Sequence, residues 1–358
     1  MADASPLKLG LIGCGHIARF HARNIKDALS RQSLNITYHA TCDRELDRAR
    51  AFADIAGCEL VTTDAAEMIA ACDVVYVCTE TVEHTALVNQ AAAAGKHIFC
   101  EKPLATSLKD ATQMAAAVNQ AGVVNQVGLI LNYSPVFTVL RQLMSADDYG
   151  PVLSVHLRDD QCFPTGDHYG SNWRADVNRA GAGTLLEHSI HDVDLLRRLF
   201  GDIEAVNCRT REISGHPGIE DLAMVNFHHH GGHTSTLNSI WHAMPARQSS
   251  RSLEVFFNRA RFTTDQDYFG SISYQIDDQP VITLSSDEVL ARFMALQDLE
   301  PVNEDLRSLG GLSDRRFLQA VVEGKRAQPD FADALAAHEI VAACYRSAAA
   351  QGDTVRLQ

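Results

Sequence analysis

A glycine-rich turn near the amino terminus constrains the fold of this chain more than any other stretch. The apolar run Leu7–Ile12 leads directly into Gly13-Cys14-Gly15-His16-Ile17-Ala18, and a helical pattern continues to about Leu29. Between a strand and a helix, the first glycine permits a tight turn, the second lets a pyrophosphate approach the backbone, and the small third residue allows close packing. The helix N-terminus favours phosphate binding. The turn therefore predicts a dinucleotide-binding unit, the alternative being a glycine-rich turn without a ligand.

Strand-like and helical runs then alternate to about residue 130. Buried strands are predicted at Ile36–Asp43, Asp73–Thr79, His97–Cys100 and Val123–Ile130, with helical stretches between them. Such alternation indicates an α/β fold with a doubly wound parallel sheet. We expect residues 1–131 to form an NAD(P)-binding Rossmann domain.

The pattern changes after this point to strand runs joined by short turns, such as Gly231-Gly232. Short turns between strands are typical of hairpins in antiparallel sheets. Two helical stretches, near 314–323 and 331–350, close the chain. We expect residues 132–358 to form an α+β domain with a large, mostly antiparallel sheet, serving substrate binding and oligomerisation.

Charge and cysteine usage bound the class of protein. The formal net charge is -14, which argues against binding to nucleic acid or to an anionic membrane surface. The nine cysteines include no Cys-x-x-Cys pair, a usage typical of a reducing compartment. Met1–Pro6 lacks the pattern of a secretory signal, and no run reaches the length of a membrane span. We expect a cytoplasmic protein.

An acidic residue ends the second predicted strand. Asp43 there would accept hydrogen bonds from the adenosine ribose hydroxyls and repel a 2′-phosphate. Arg44 follows immediately, and an arginine at this place can hold a 2′-phosphate. The sequence favours NAD as the cofactor and leaves NADP open.

A second chemical stretch ends the strand His97–Cys100. Glu101 and Lys102 follow that strand, at the sheet edge where open α/β sheets bind ligands. Pro103 fixes the backbone beside them. An isolated Glu-Lys-Pro is more often a solvated surface turn, so its functional interpretation depends on the other motifs.

A third stretch reads as one helix from about Leu185 to Phe200. Its apolar positions fall on one arc, while Glu187, His191, Asp194 and Arg198 recur at intervals of three or four positions on another. A carboxylate one turn before a histidine can orient the imidazole for acid–base catalysis. The alternative is a solvated, salt-bridging stripe opposite the core.

These motifs occur in one order along the chain, with Ala94–Leu104 after the glycine turn, then Trp173-Arg174, then Gly183-x-x-x-Glu187-x-x-x-His191-x-x-Asp194. In this order the chain resembles the Gfo/Idh/MocA family (glucose–fructose oxidoreductase, inositol dehydrogenase and rhizopine catabolism) over about residues 7–201. The resemblance implies an NAD(P)-dependent oxidoreductase that transfers a hydride to or from a hydroxyl-bearing carbon of a sugar, polyol or sugar derivative.

The resemblance also implies roles for single residues. Lys102 would polarise the reacting hydroxyl or relay its proton, His191 would be its acid or base, and Asp194 would contact the substrate or the nicotinamide ribose. Glu187 stands where the family usually has aspartate, and Glu80, after Thr79, stands where a proline is common. The implied cofactor contacts are Gly13, Gly15, His16, Ile17, Asp43, Arg44, Thr79, Glu101 and Lys102, and the implied catalytic residues are Lys102, His191 and Glu187.

Polar and aromatic side chains near the third stretch suit a polyhydroxylated substrate. The candidates for its site, besides Lys102, His191 and Asp194, are Arg158, Tyr169, Trp173, Arg174 and His188. We interpret the hairpin His228–His233 as a polar tip and predict no metal site. A homo-oligomer, dimer or tetramer, is expected. The alternative function is a non-catalytic NAD(P)-binding regulator or sensor on the same fold.

Overall fold

Two β-sheets organise the chain. A computed structural model describes residues 5–31, 34–165, 171–299 and 311–357. The described residues divide between two units. The first comprises Met1–Leu129, Asn178–Gly181 and Asp305–Leu335; the second comprises Ile130–Val177, Ala182–Glu304 and Ala336–Gln358.

The first unit contains a six-stranded parallel sheet of order β3-β2-β1-β4-β5-β6. In this order β2 and β3 are added on one side of β1, and β4 to β6 are added on the other side. Ligands bind where the order switches, between β1 and β4, at the carboxyl ends of the strands. The predicted Rossmann sheet is therefore confirmed. Its strands are β1 (Leu7–Ile12), β2 (Ile36–Cys42), β3 (Leu60–Thr62), β4 (Val74–Val77), β5 (His97–Cys100) and β6 (Asn125–Val127).

Helices connect these strands because their apolar faces pack on the sheet. Tyr76 of β4 stacks on Phe99 of β5 with ring centroids 4.7 Å apart, and Phe317 meets both rings edge-on. All three side chains are fully buried. The helices are α1 (His16–Arg31), α2 (Leu46–Ala56), α3 (Ala65–Ala71), α4 (Thr81–Ala93) and α5 (Leu108–Ala121), with α11 (Leu312–Glu323) later in the chain.

The second unit contains a nine-stranded sheet of order β14-β13-β12-β11-β7-β10-β9-β8-β15. Only β7 and β10 pair in parallel; the other pairings are antiparallel. The large, mostly antiparallel sheet predicted from the sequence is confirmed. Its strands are β7 (Val152–Cys162), β8 (Ile203–Arg211), β9 (Leu222–His229), β10 (Thr234–His242), β11 (Ser250–Phe257), β12 (Ala260–Thr264), β13 (Ile272–Ile276), β14 (Ile282–Leu284) and β15 (Val355–Arg356).

The remaining helices include short pieces that the sequence pattern did not separate. They are α6 (Pro135–Met144), α7 (Val177–Ala180), α8 (Thr184–Glu187), α9 (Ile190–Phe200), α10 (Ser286–Leu296) and α12 (Phe331–Ala349), with 3-10 turns at Ile130–Tyr133 and Trp173–Ala175. Helix α12 contributes residues to both units. None of the helices in the described stretches is both long and apolar enough to cross a bilayer.

The single helix predicted from 185 to 200 is wrong. Helix α8 ends at Glu187 and α9 begins at Ile190. At the break, the Ser189 hydroxyl donates to Asp159 at 3.0 Å and lies 2.7 Å from the Ser239 hydroxyl. These tertiary contacts, invisible in a periodicity argument, outweigh the local helix preference.

Candidate active site

The glycine turn has the geometry that a dinucleotide phosphate requires. Gly13 has a φ of +91°, and a Cβ there would lie 2.8 Å from the backbone of Cys78 and of Thr79. Around a Cβ on Gly15, by contrast, nothing in the described part of the chain lies within 4 Å. His16 and Ile17, which begin α1, are exposed. The turn is thus packed against β4 on one side and open above the helix N-terminus, so it fits a phosphate ligand.

Asp43 fastens this turn to the end of β2. Its buried carboxylate accepts hydrogen bonds from the backbone N–H of Cys14 at 2.8 Å and of Glu45 at 2.9 Å. Arg48 lies 3.4 Å from the same carboxylate. Asp43 therefore keeps the turn in register, in addition to the acceptor role predicted for it.

Glu80, the residue in the family's proline position, is held by two arginines. Arg44 contacts its carboxylate at 2.8 Å. Arg179, from a later segment of the same unit, donates to it through both Nε, at 2.8 Å, and Nη2. The acidic residue after Thr79 is explained by its ion pair with Arg179, 99 positions later in the chain. The sequence alone did not reveal this contact.

Lys102 follows β5 as predicted and is half-buried. The peptide bond from Lys102 to Pro103 is cis. His84, fully buried on α4, lies 3.0 Å from the carbonyl oxygen of Pro103 and 3.3 Å from that of Thr79. The imidazole of His84 thus links the ends of β4 and β5 beside Lys102, a contact the sequence reasoning missed.

A buried charge network lies behind Lys102. Nδ1 of His21 is 2.7 Å from Asp314 and Nε2 is 2.9 Å from Glu101. The other oxygen of Glu101 accepts the backbone N–H of Lys102 at 3.2 Å. Although burial opposes charge on the imidazole, Asp314 and Glu101 raise the pKa of His21 to about 10. Burial likewise opposes ionisation of Glu101, but the hydrogen bond from His21 keeps its pKa below the usual value.

The start of α8 in the second unit is fixed by Glu220. Its carboxylate accepts the backbone N–H of Gly183 at 2.7 Å and of Leu185 at 2.9 Å. A Cβ on Gly183 would lie 2.1 Å from the Glu220 carbonyl oxygen, so only glycine fits. The glycine in the third motif thus positions the helix that carries Glu187.

Glu187 has an arginine partner. Nε of Arg174 donates to its carboxylate at 3.0 Å, and the Glu187 side chain is 0% exposed. The Arg174 guanidinium also stacks on the Trp173 ring, 4.2 Å from its centroid. The structure therefore brings three of the predicted residues together around a charge-assisted hydrogen bond.

A cluster around Arg251 supports the break between α8 and α9. His188 lies 2.9 Å from Asp159, and Arg251 contacts Asp159 at 3.2 Å and Asp192 at 2.8 Å. Burial raises the pKa of Asp192 to about 8, with Arg251 opposing the rise. The sequence did not point to Asp159, Asp192 or Arg251. The signal near them was the adjacent acids Asp159 and Asp160 of β7, and periodicity assigns these two to opposite faces of the sheet.

His191 and Asp194 lie in α9 and are buried, with exposures of 8% and 0%. Asp194 accepts hydrogen bonds from Asn132 at 2.7 Å and from Arg198 at 2.9 Å. The alternative of a solvated stripe is wrong for Glu187, His191 and Asp194, which are buried. Arg198 is half-buried, and the salt bridging that this alternative expected is present between Arg198 and Asp194. The apolar arc itself is confirmed as buried: Leu186, Ile190, Val193, Leu196 and Phe200.

One candidate substrate residue, Arg158, lies apart from this group. Arg158 is exposed, pairs with Asp160 at 3.1 Å and lines a cavity of about 710 Å³. Because neighbouring strand residues face opposite sides of a sheet and Asp159 faces His188, the structure does not bring Arg158 to His188. Tyr169 lies outside the described residues.

The histidine-rich hairpin finds polar partners within the sheet. His228 lies 2.7 Å from Asn207, and His229 lies 2.8 Å from Ser235. Among the residues that the structure describes, no group of three or more His, Cys, Asp or Glu side chains could hold a metal ion.

Comparison with known proteins relates both units to one family. Residues 7–129 match the family described as "Oxidoreductase family, NAD-binding Rossmann fold", and residues 137–263 match the "GFO/IDH/MocA C-terminal domain". The inositol 2-dehydrogenase of Rhizobium meliloti is 30% identical over 55% of this chain and 56% of its own. The myo-inositol 2-dehydrogenase of Thermotoga maritima is 29% identical over 72% of this chain and 75% of its own.

A solved structure of levoglucosan dehydrogenase, in complex with NADH and levoglucosan, superposes with a TM-score of 0.86 at 21% identity, covering 98% of this chain and 99% of that one. At this identity the likeness concerns the fold. The chain spans about half the length of the first curated relatives it matches, 53% and 56%. The two family matches together take in more than half of the chain. The protein belongs to the Gfo/Idh/MocA oxidoreductase family.

Proposed function

We propose that the protein is an NAD(P)-dependent dehydrogenase or reductase acting on the CH–OH group of a sugar, polyol or sugar derivative. The observation that carries the proposal is the glycine turn. Gly13 is packed against β4, and the space above Gly15 is open. The match of both sequence ranges to one oxidoreductase family supports it.

The cofactor residues are those of the β1, β2, β4 and β5 ends. The backbone of Gly13 and Gly15 and the N-terminus of α1, at His16 and Ile17, hold the pyrophosphate. The bound nicotinamide supplies the hydride chemistry. The remaining cofactor contacts are Asp43 and Arg44 after β2, Thr79 after β4, and Glu101 and Lys102 after β5.

Lys102 and His191 handle the proton of the reacting hydroxyl. The buried pair of His21 and Glu101 holds the Lys102 backbone, so the lysine leaves the sheet from a fixed point. Burial of His191 excludes competing water from its imidazole. Glu187 acts through its ion pair with Arg174, and such fixed geometry favours catalysis because less ordering is needed in the transition state.

The substrate is polyhydroxylated. Trp173 and Arg174 supply an aromatic face and hydrogen-bond donors, and His188 and His191 supply imidazoles, which suit hydroxyl groups. Asp194, in the same helix as His191, contacts the substrate or the nicotinamide ribose. The related proteins named for inositol and levoglucosan support this substrate class.

We place the protein in the cytoplasm as a homo-oligomer. All nine cysteines are free thiols, which suits a reducing compartment. The test of the oligomer is light scattering of the purified protein, where a monomer at micromolar concentration contradicts it.

The function is tested by reduction of NAD⁺ across a panel of inositols, aldoses, anhydrosugars and polyols. We expect turnover of at least one polyhydroxylated substrate, unchanged after dialysis against a chelator. NADH binding without turnover of any member of the panel would favour the regulator or sensor. Failure to bind NADH or NADPH would contradict both functions.

A further inference from the structure

Glu80 occupies an unusual place for an acidic side chain. It is the residue before α4, yet its carboxylate makes no capping bond to that helix. The carboxylate is 15% exposed and contacts the guanidinium groups of Arg44 and Arg179. The acid at the end of β4 therefore binds arginines from two other segments of the first unit.

The contact with Arg44 bears on cofactor choice. β2 and β4 flank β1 in the sheet, so the Arg44–Glu80 pair joins the strand ends on either side of the glycine turn. In dinucleotide-binding folds, an acid after the second strand binds the ribose 2′-hydroxyl, and a nearby arginine accommodates a 2′-phosphate. Asp43 is that acid, and Arg44 is the arginine whose charge Glu80 neutralises.

Arg48, the other arginine beside Asp43, also faces carboxylates. It lies 2.6 Å from Glu45 and 3.4 Å from Asp43. A 2′-phosphate at this strand end would therefore meet Asp43 and Glu80 and would have to draw an arginine from its carboxylate. A 2′-hydroxyl needs only an acceptor oxygen, which Asp43 provides.

We propose that Glu80 makes the protein select NAD over NADP by holding Arg44 in an ion pair. The proposal rests on the proposed function, since it presupposes that the glycine turn binds a dinucleotide. Glu80 acts through Arg44 and is a specificity-determining residue. Its second partner, Arg179, keeps the carboxylate in place when Arg44, whose side chain is 62% exposed, moves.

The test is the Kd of NADH and of NADPH, measured by titration calorimetry, which needs no substrate. Glu80→Gln keeps the shape and removes the charge. We expect the ratio of its NADPH Kd to its NADH Kd to fall about tenfold. An effect of this size is expected when one charge is removed a few ångströms from another charge at a partly exposed site. Adding Arg44→Ala to Glu80→Gln should return the ratio to that of the unaltered protein.

Two matched variants separate this role from a general one. Glu83→Gln removes the same charge from an exposed position one turn further along α4, and it should leave the ratio unchanged. Arg179→Gln keeps the Glu80 charge and its pair with Arg44, and it should not lower the ratio. If Glu80→Gln still binds NADH and its ratio is unchanged, the proposed role of Glu80 is overturned while the proposed function stands. Absence of NADH and NADPH binding in the unaltered protein overturns the proposed function as well.

Discussion

The buried network of His21, Glu101 and Asp314 gives the sharpest prediction about stability. His21→Gln removes the charge between the two carboxylates while keeping a side chain of similar reach. The pKa of His21 is about 10, against an ordinary 6.5. A pKa raised on folding means that the charged imidazole stabilises the folded protein fully below pH 6.5, and that this stabilisation is lost as pH rises through 10. It amounts to about 4 kcal/mol at pH 7 and about 1–2 kcal/mol at pH 9.

Urea unfolding at pH 7 and pH 9 measures this loss. Circular dichroism is the suitable probe, because both tryptophans, Trp173 and Trp241, lie in the second unit and His21 in the first. We expect His21→Gln to lower the free energy of unfolding by about 3–5 kcal/mol at pH 7, the cost of breaking a buried ion pair. The difference from the unaltered protein should shrink by about 2–3 kcal/mol at pH 9.

The same substitution at His230, whose side chain is 66% exposed, is the matched control and should change neither value appreciably. The reasoning is refuted if His21→Gln and the unaltered protein differ by the same amount at both pH values. In that case His21 is not charged in the folded protein.

Two further predictions concern the glycine turn and the Glu187 pair. Gly15→Ala should fold normally and lose NADH affinity. Gly13→Ala should lose NADH affinity and also lower the melting temperature, because its Cβ would lie 2.8 Å from the Cys78 backbone. Equal melting temperatures of the two variants would contradict this. Arg174→Met should lower the free energy of unfolding by about 1–3 kcal/mol, because it removes the positive charge that pairs with the buried Glu187 carboxylate. Glu187→Gln added to Arg174→Met should recover part of that loss in urea unfolding, and no recovery would show that the pair is not the cause.

The local motifs predicted much of the fold because their signals lie within short stretches. The turn at Gly13 and the strand His97–Cys100 appear where expected. Strands β3, β12, β14 and β15 were missed, since pieces of two to five residues carry too little alternation to be distinguished from loops. The break at Ser189 was missed because it depends on Asp159, a residue of another element.

The candidate site was less predictable because its partners are distant in sequence. Asp314 lies 293 positions from His21, and nothing near either residue indicates the contact. Likewise, the sequence marked Glu80 as unusual without showing Arg179. The residue types at the motif positions could be recognised from the sequence. The side chains that hold them in place come from distant segments, so they could be identified only in the folded structure.

We propose that Lys102 and His191 carry the proton while the nicotinamide carries the hydride. The most direct measurement is the single-turnover rate of NADH formation, by absorbance, with a substrate identified from the polyol and sugar panel. Lys102→Ala and His191→Ala should each slow this step by about a hundredfold or more, with the Kd of NADH little changed. Lys109→Met, at an exposed lysine of α5, should not. A variant at Lys102 or His191 that retains most of the single-turnover rate would show that the altered residue does not carry the proton.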